Sequence, residues 1–366
     1  MAESAENTPS VETLESLLAG FRVGPMTIEF DSFGDVELLL WSTESDPDNS
    51  SEDRRFIVSS KAMSFCCDAW HRMLRPDGGF KESQPCKERR KIRLPDDDVD
   101  ALEILLRIAH LQFDLVPQTP DFCLLVKVAI LVEKYDAAKL VSPWKNAWIK
   151  PFENRVDENG FEQWLTIAYA FGFKDEFQRV ANRLVREAHW SPLRKCLSSG
   201  TFAIDTSEPD SYMPSDIIDR VLTAQRQTIT RLLKVAYDTV DLFKNSQPLD
   251  CPVHSVCKQQ NDRFNCDSSM LGSLTIGLQQ IGLLPNRKDA SEITLSVSNL
   301  AGLLKILRIL SPHDSRPSIC ATPSRPCNVI GPIQKEVQDI LNTIPSAVSE
   351  SDLRHMERQQ TKYPRG

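Results

Sequence analysis

Histidine is scarce in this chain: six residues in 366, spread from His71 to His355 with none close to another. That spread leaves little for acid–base and nucleophilic arrangements, which most often rest on His. There is no G-x-S-x-G, no H-E-x-x-H and no glycine-rich phosphate loop, so no motif points to hydrolysis, metalloprotease chemistry or nucleotide binding. A basic excess is also missing. The net charge is −8 and the pI about 5.4, which argues against a nucleic-acid partner held by overall charge. Long apolar runs are absent too. The longest, Leu124 to Val132, carries Lys127 and falls far short of a bilayer span, so no membrane partner is expected. The opening residues MAESAENTPS are polar and acidic, unlike a secretory signal or a presequence. The expected location is cytoplasmic or nuclear.

What is present is ordinary for a soluble globular protein: 41% hydrophobic and 26% charged residues, in a chain long enough for two domains. In a reducing compartment the ten cysteines read as core residues, free thiols or metal ligands rather than disulfides.

The chain is organised around Phe56 to Leu74. A β run, Phe56-Ile57-Val58, meets Ser59 and Ser60. The apolar residues Met63, Phe65, Cys66, Ala69, Trp70, Met73 and Leu74 then follow at helical spacing. Upstream, Gly34-Asp35 reads as a turn into a buried strand, Val36 to Trp41, the hairpin partner of Phe56–Val58. Downstream, the basic residues Lys87, Arg89, Arg90, Lys91 and Arg93 read either as a patch for acidic partners or as a solvated approach to a strand at Ile92 to Leu94. Asp96-Asp97-Asp98 reads as a helix cap rather than an acid–base pair. Helices are expected over Val99 to Leu111 and Asp121 to Tyr135, the latter opened by Thr119 and Pro120, and over Ala137 to Trp148 with a break near Pro143. Further helices are expected over 160–190, from Ser215 to Phe243, from Ser268 to Ile281, from Glu292 to Leu310, and near Val337 to Leu341.

Residues 26–152 resemble a BTB/POZ domain of the fungal type. The similar stretches are Gly34 to Leu38, Phe56 to Ser64, Trp70 to Leu74, Phe80 to Glu82, Ile92 to Asp98 with Ala101 to Ile108, and Leu131 to Asp136, in the family's order. The resemblance implies an α+β fold, a small three-stranded sheet flanked by helical hairpins, followed here by a mainly α-helical C-terminal region. It implies a homodimer whose groove is lined by Asp35 and Lys61. Read without the resemblance, these are a strand-entry turn and a surface helix residue. The family's cullin-docking members carry a hydrophobic-x-Glu pattern where this chain has Leu111-Gln112-Phe113-Asp114-Leu115, which has no Glu in that place. The expected layout is a tail with a short helix over 1–25, the BTB/POZ domain over 26–152, a helical extension over 153–200 and a linker over 201–214. A helical region with Cys/His loops over 215–345 and a disordered tail over 346–366 complete it.

The Cys/His loops admit one cofactor, a structural zinc. Cys257, Cys266, His313 and Cys320 supply two ligands from each of two loops; Cys251, His254, Cys257 and Cys266 are an alternative set. Thiols in irregular loops without metal are the plain alternative to both. Three functions are carried forward. One is an adaptor that self-associates and links a target protein to a cullin-type ubiquitin ligase. The second is a scaffold or transcription-related regulator that only self-associates. The third is an enzyme hidden in 152–366. The expectation is a binding module and not an enzyme.

Overall fold

Val36–Leu40 is apolar at every position but one, and this strand, β2, is the buried centre of a four-stranded sheet. The computed structural model describes residues 26–40, 54–75, 89–191, 196–199, 202–205, 213–214, 216–244, 263–311 and 329–362. The chain divides into two compact units, one running to Pro151 and the other spanning Phe152–Thr361.

In the first unit β1 (Met26–Glu29), β2, β3 (Arg54–Val58) and β4 (Arg90–Leu94) lie in the order β1-β3-β2-β4. β2 and β3 are antiparallel with Leu38 opposite Phe56, and β4 runs parallel to β2 with Ile92 opposite Leu38. The resemblance implied three strands; β1 is a fourth, parallel to β3. Its four residues are mostly exposed, so it carries no buried alternation that a sequence could display. Glu37 is the one acid in β2. It is buried between Arg55 and Lys91, each 3.7 Å away, which offsets the cost of placing a carboxylate there. Gly34 is required at the entry to β2, since a Cβ there would lie 2.7 Å from the Val58 carbonyl oxygen.

After β3 come two short helices, α1 (Ser60–Cys66) and α2 (Asp68–Leu74). Three longer ones follow β4: α3 (Val99–Ala109), α4 (Phe122–Tyr135) and α5 (Ala138–Ile149). Their caps are specific. Asp98 accepts from the Ala101 N–H and caps α3, while α4 is capped by Asp121, accepting from Leu124, and not by Thr119 and Pro120. Pro143 lies inside α5 without breaking it. Asp97 is no cap. Its buried carboxylate takes a hydrogen bond from the Tyr135 hydroxyl and pairs with Lys134.

The second unit is helical with a small sheet. α6 (Trp164–Phe171) and α7 (Lys174–Glu187) are joined by Gly172 at φ +80°, where a Cβ would meet the Met356 carbonyl oxygen at 2.6 Å. Three antiparallel strands follow, β5 (His189–Ser191), β6 (Cys196–Ser199) and β7 (Phe202–Asp205). They correct the expectation of a helical extension to 200 and a plain linker over 201–214. α8 (Ile217–Lys244) then packs its apolar stripe against α9 (Arg263–Gln280), α10 (Val297–Lys305) and α11 (Ile330–Asn342) around Leu232, Met270, Leu300 and Val337. α10 is shorter than the expected Glu292 to Leu310.

The expected disordered tail is corrected as well: Glu350–Lys362 is a helix, α12. Ser349 and Asp352 form a reciprocal cap, each side chain accepting from the other's N–H. Polar contacts hold the helix down. Arg220 pairs with Asp352 at 2.6 Å, and the Tyr169 and His355 rings stack 4.1 Å apart. With Met356 the only large apolar side chain it buries fully, α12 shows no apolar stripe.

Candidate interaction surface

The start of α1 is assembled from four segments of chain. Asp35, at the entry to β2, accepts from the Ser60 N–H and the Ser60 hydroxyl, both at 2.7 Å, and from the Arg90 guanidinium at 2.9 Å. Burial works against the charge on Asp35, but the Ser60 and Arg90 hydrogen bonds outweigh it and hold the carboxyl below the usual carboxylate value. On the other side His110, just past the end of α3, accepts from the Ser59 N–H at 3.0 Å. Ser59 in turn caps α1 through Ala62.

The two residues that the resemblance places along a groove come together at the start of α1, where Asp35 contacts Ser60, the residue before Lys61, but they play different parts. Asp35 is engaged by Ser60 and Arg90, whereas Lys61, the next residue along α1, is exposed. Lys61 and Phe65 are four apart and share a face of α1. Phe65, one of the apolar residues at helical spacing between Met63 and Leu74, is not part of the core: it is 80% exposed. Phe33, in the turn before Gly34, is 93% exposed. Sequence spacing alone does not separate Phe65 from Met63, which is fully buried on the same helix.

A second exposed apolar stretch follows α3. Leu111 is 75% exposed, and Phe113 and Leu115 are also exposed, with the Phe113 ring 5.5 Å from that of Trp144. Leu111 ends α3 in the left-handed region at φ 62°. Its N–H bonds to the Ile108 carbonyl at 3.1 Å, and that of Gln112 to the Arg107 carbonyl at 2.8 Å. These are the paired bonds of a helix end at which glycine is the favoured residue. A leucine here carries backbone strain and gains no burial. Leu111→Gly is therefore expected to raise the unfolding free energy by about 0.5–1 kcal/mol, read from the urea midpoint, because the strain relieved exceeds the added entropy of the unfolded chain.

Other candidate groups are accounted for. His71 is exposed, and both ring nitrogens of His110 are hydrogen-bonded. Burial pushes the Cys67 thiol up to about 11 and raises Cys66 as well, so neither is a thiolate at neutral pH. Of the basic run, Arg90 is engaged by Asp35 and the Leu74 carbonyl, and Arg89 donates to the Gly34 carbonyl at 3.0 Å.

Of the two zinc sets only Cys266 falls within the described residues; Cys251, His254, Cys257, His313 and Cys320 lie outside them. Cys266 was expected in a loop. It lies in the first turn of α9, fully buried, with its sulfur 3.6 Å from the Ser311 hydroxyl. That setting suits a core thiol. Among the described residues no group of three or more His, Cys, Asp or Glu side chains is placed to hold a metal ion. No helix among them is long and apolar enough to cross a membrane. No family model matches the chain, and no curated protein matches it.

Proposed function

We propose that the first unit is a BTB/POZ-type protein-interaction module that self-associates, and that the chain acts as a non-enzymatic adaptor joining a target protein to a cullin-type scaffold. The observation that carries this reading is the exposed leucine at the end of α3. Leu111 occupies a strained position that its own fold does not repay, beside exposed Phe113 and Leu115. Exposed apolar residues grouped in this way are usually covered by a partner. A strained residue that breaks the local rule is expected where function demands it. Self-association is assigned to the face around Asp35, Lys61 and Phe65, and the cullin-type partner to Leu111–Leu115. Target binding falls to the second unit.

Light scattering after gel filtration of the full chain, with and without the N-terminal domain of a cullin, tests the reading. A complex of two chains and two cullins is the expected result, lost on Leu111→Asp while the dimer persists. A dimer that ignores the cullin would reduce the function to a self-associating scaffold. A monomer that ignores it would overturn the reading.

A further inference from the structure

We propose that His110 is a pH-released latch on α1: neutral, it ties the Ser59 amide to the end of α3, and on protonation it lets go. The geometry assigns both ring nitrogens. Nδ1 lies 2.8 Å from the Leu106 carbonyl oxygen, which only accepts, so Nδ1 carries the proton. Nε2 lies 3.0 Å from the Ser59 amide nitrogen, which only donates, so Nε2 carries none. Two backbone groups from different elements thus hold the imidazole in one neutral tautomer. A second proton can enter only at Nε2, where an N–H would then face the Ser59 N–H.

The surroundings are consistent with this. Burial lowers the affinity of His110 for that proton, while the bond to Leu106 and the Asp31 carboxylate act in the opposite direction. The Phe30 ring covers the imidazole at 5.6 Å. From α1 the Cys66 thiol, which stays protonated, reaches the Ala109 carbonyl next to His110 at 3.9 Å, and on α3 Arg107 is held by Glu103 and Gln112. Asp35 and Arg90 grip Ser60 from the other side, and Asp35 releases only in stronger acid. Because the folded state favours the neutral ring, the latch contributes stability above the free-histidine value of about 6.5, and that contribution is lost as pH falls below it. Lys61 and Phe65 ride on the helix that is released. The consequence for assembly rests on the self-association reading above.

Hydrogen exchange on the full chain at about pH 7.5 and about pH 5.5, corrected for intrinsic rates, tests the latch across the free-histidine value. In the wild type, peptides covering 57–63 are expected to lose about tenfold in protection at the lower pH, the worth of roughly one hydrogen bond. His110→Gln places a non-titrating acceptor near the Nε2 position and is expected to keep one level of protection at both pH values. His110→Asn keeps the donor to Leu106 but removes the acceptor, and is expected to show the low protection at both. Equal protection of the wild type at the two pH values, or the same loss in His110→Gln, would overturn the latch. Light scattering on the same samples separates the two readings: a monomer near pH 7.5 overturns self-association and leaves the latch standing.

Discussion

Trp70→Ala is expected to cost the first unit about 3–5 kcal/mol, the range for truncating a large buried aromatic. Trp70 is 1% exposed on α2, and its ring lies 5.4 Å from that of Tyr135 on α4. The substitution removes an indole from between two elements and leaves a cavity that short helices anchored at both ends cannot close. Chemical denaturation reads the effect as a fall in midpoint at unchanged slope. Phe65→Ala on the neighbouring helix supplies the contrast. Its ring is exposed, and the same measurement is expected to move by no more than about 0.5 kcal/mol. Equal losses in the two variants would mean that Phe65 belongs to the core after all.

The second large effect is expected at Asp97. Its carboxylate is fully buried, accepts from the Tyr135 hydroxyl and pairs with Lys134, whose side chain is partly exposed. Asp97→Ala strands the Tyr135 hydroxyl without its acceptor and is expected to cost about 2–3 kcal/mol. Lys134 recovers hydration at the surface, so the loss stays below that of breaking a fully buried ion pair. Burial and the Asp97 carboxylate raise the Tyr135 pKa, so the phenol remains a donor at any pH at which the protein is handled. Tyr135→Phe in the Asp97→Ala background separates the two contributions. It is expected to recover part of the loss, since an apolar ring without its hydroxyl leaves nothing unsatisfied. A double variant no more stable than the single one would contradict the account.

Much of the first unit is legible in its sequence because its elements announce themselves by period. β2 reads as a doubly buried strand because it is apolar on both faces at every position but Glu37, and β3, α1 and α2 appear where the period changes from 2 to about 3.6. The stripe of α4 through Leu125, Val128, Ala129 and Val132 is buried as its spacing requires. What escapes is whatever depends on a partner distant in sequence. The three aspartates 96–98 look alike in sequence. Asp98 caps α3, Asp97 is buried by Tyr135, thirty-eight positions on, and Asp96 is exposed. β1 and the strands β5 to β7 are three or four residues long and take their stability from backbone pairing, which leaves little trace in composition. α12 is anchored by Arg220 and Tyr169 rather than by an apolar face; the Ser349-x-x-Asp352 spacing is a signal that could have found it. At the candidate surface Asp35 and Lys61 could be picked out, but not that Asp35 grips Ser60 and Arg90, nor that Phe65 faces outward.

The same geometry links composition to the proposed role. An acidic chain with few histidines places its titratable groups in structural posts: Asp35 and His110 at the two sides of α1, Glu37 between two cations, Asp97 under Tyr135. Among the described residues of the first unit the large apolar side chains left exposed, Met26, Phe33, Phe65, Leu111, Phe113 and Leu115, contribute little to its own stability. On the proposed reading a partner surface is where they repay their exposure.

The most direct measurement of that claim is the mass in solution of the wild-type chain and of a Phe33→Asp/Phe65→Asp variant, each paired with its denaturation curve. The account predicts two chains for the wild type and one for the variant, with unfolding midpoints that coincide once the contribution of association is removed by dilution. A wild-type monomer, or a variant that remains a dimer, would contradict it.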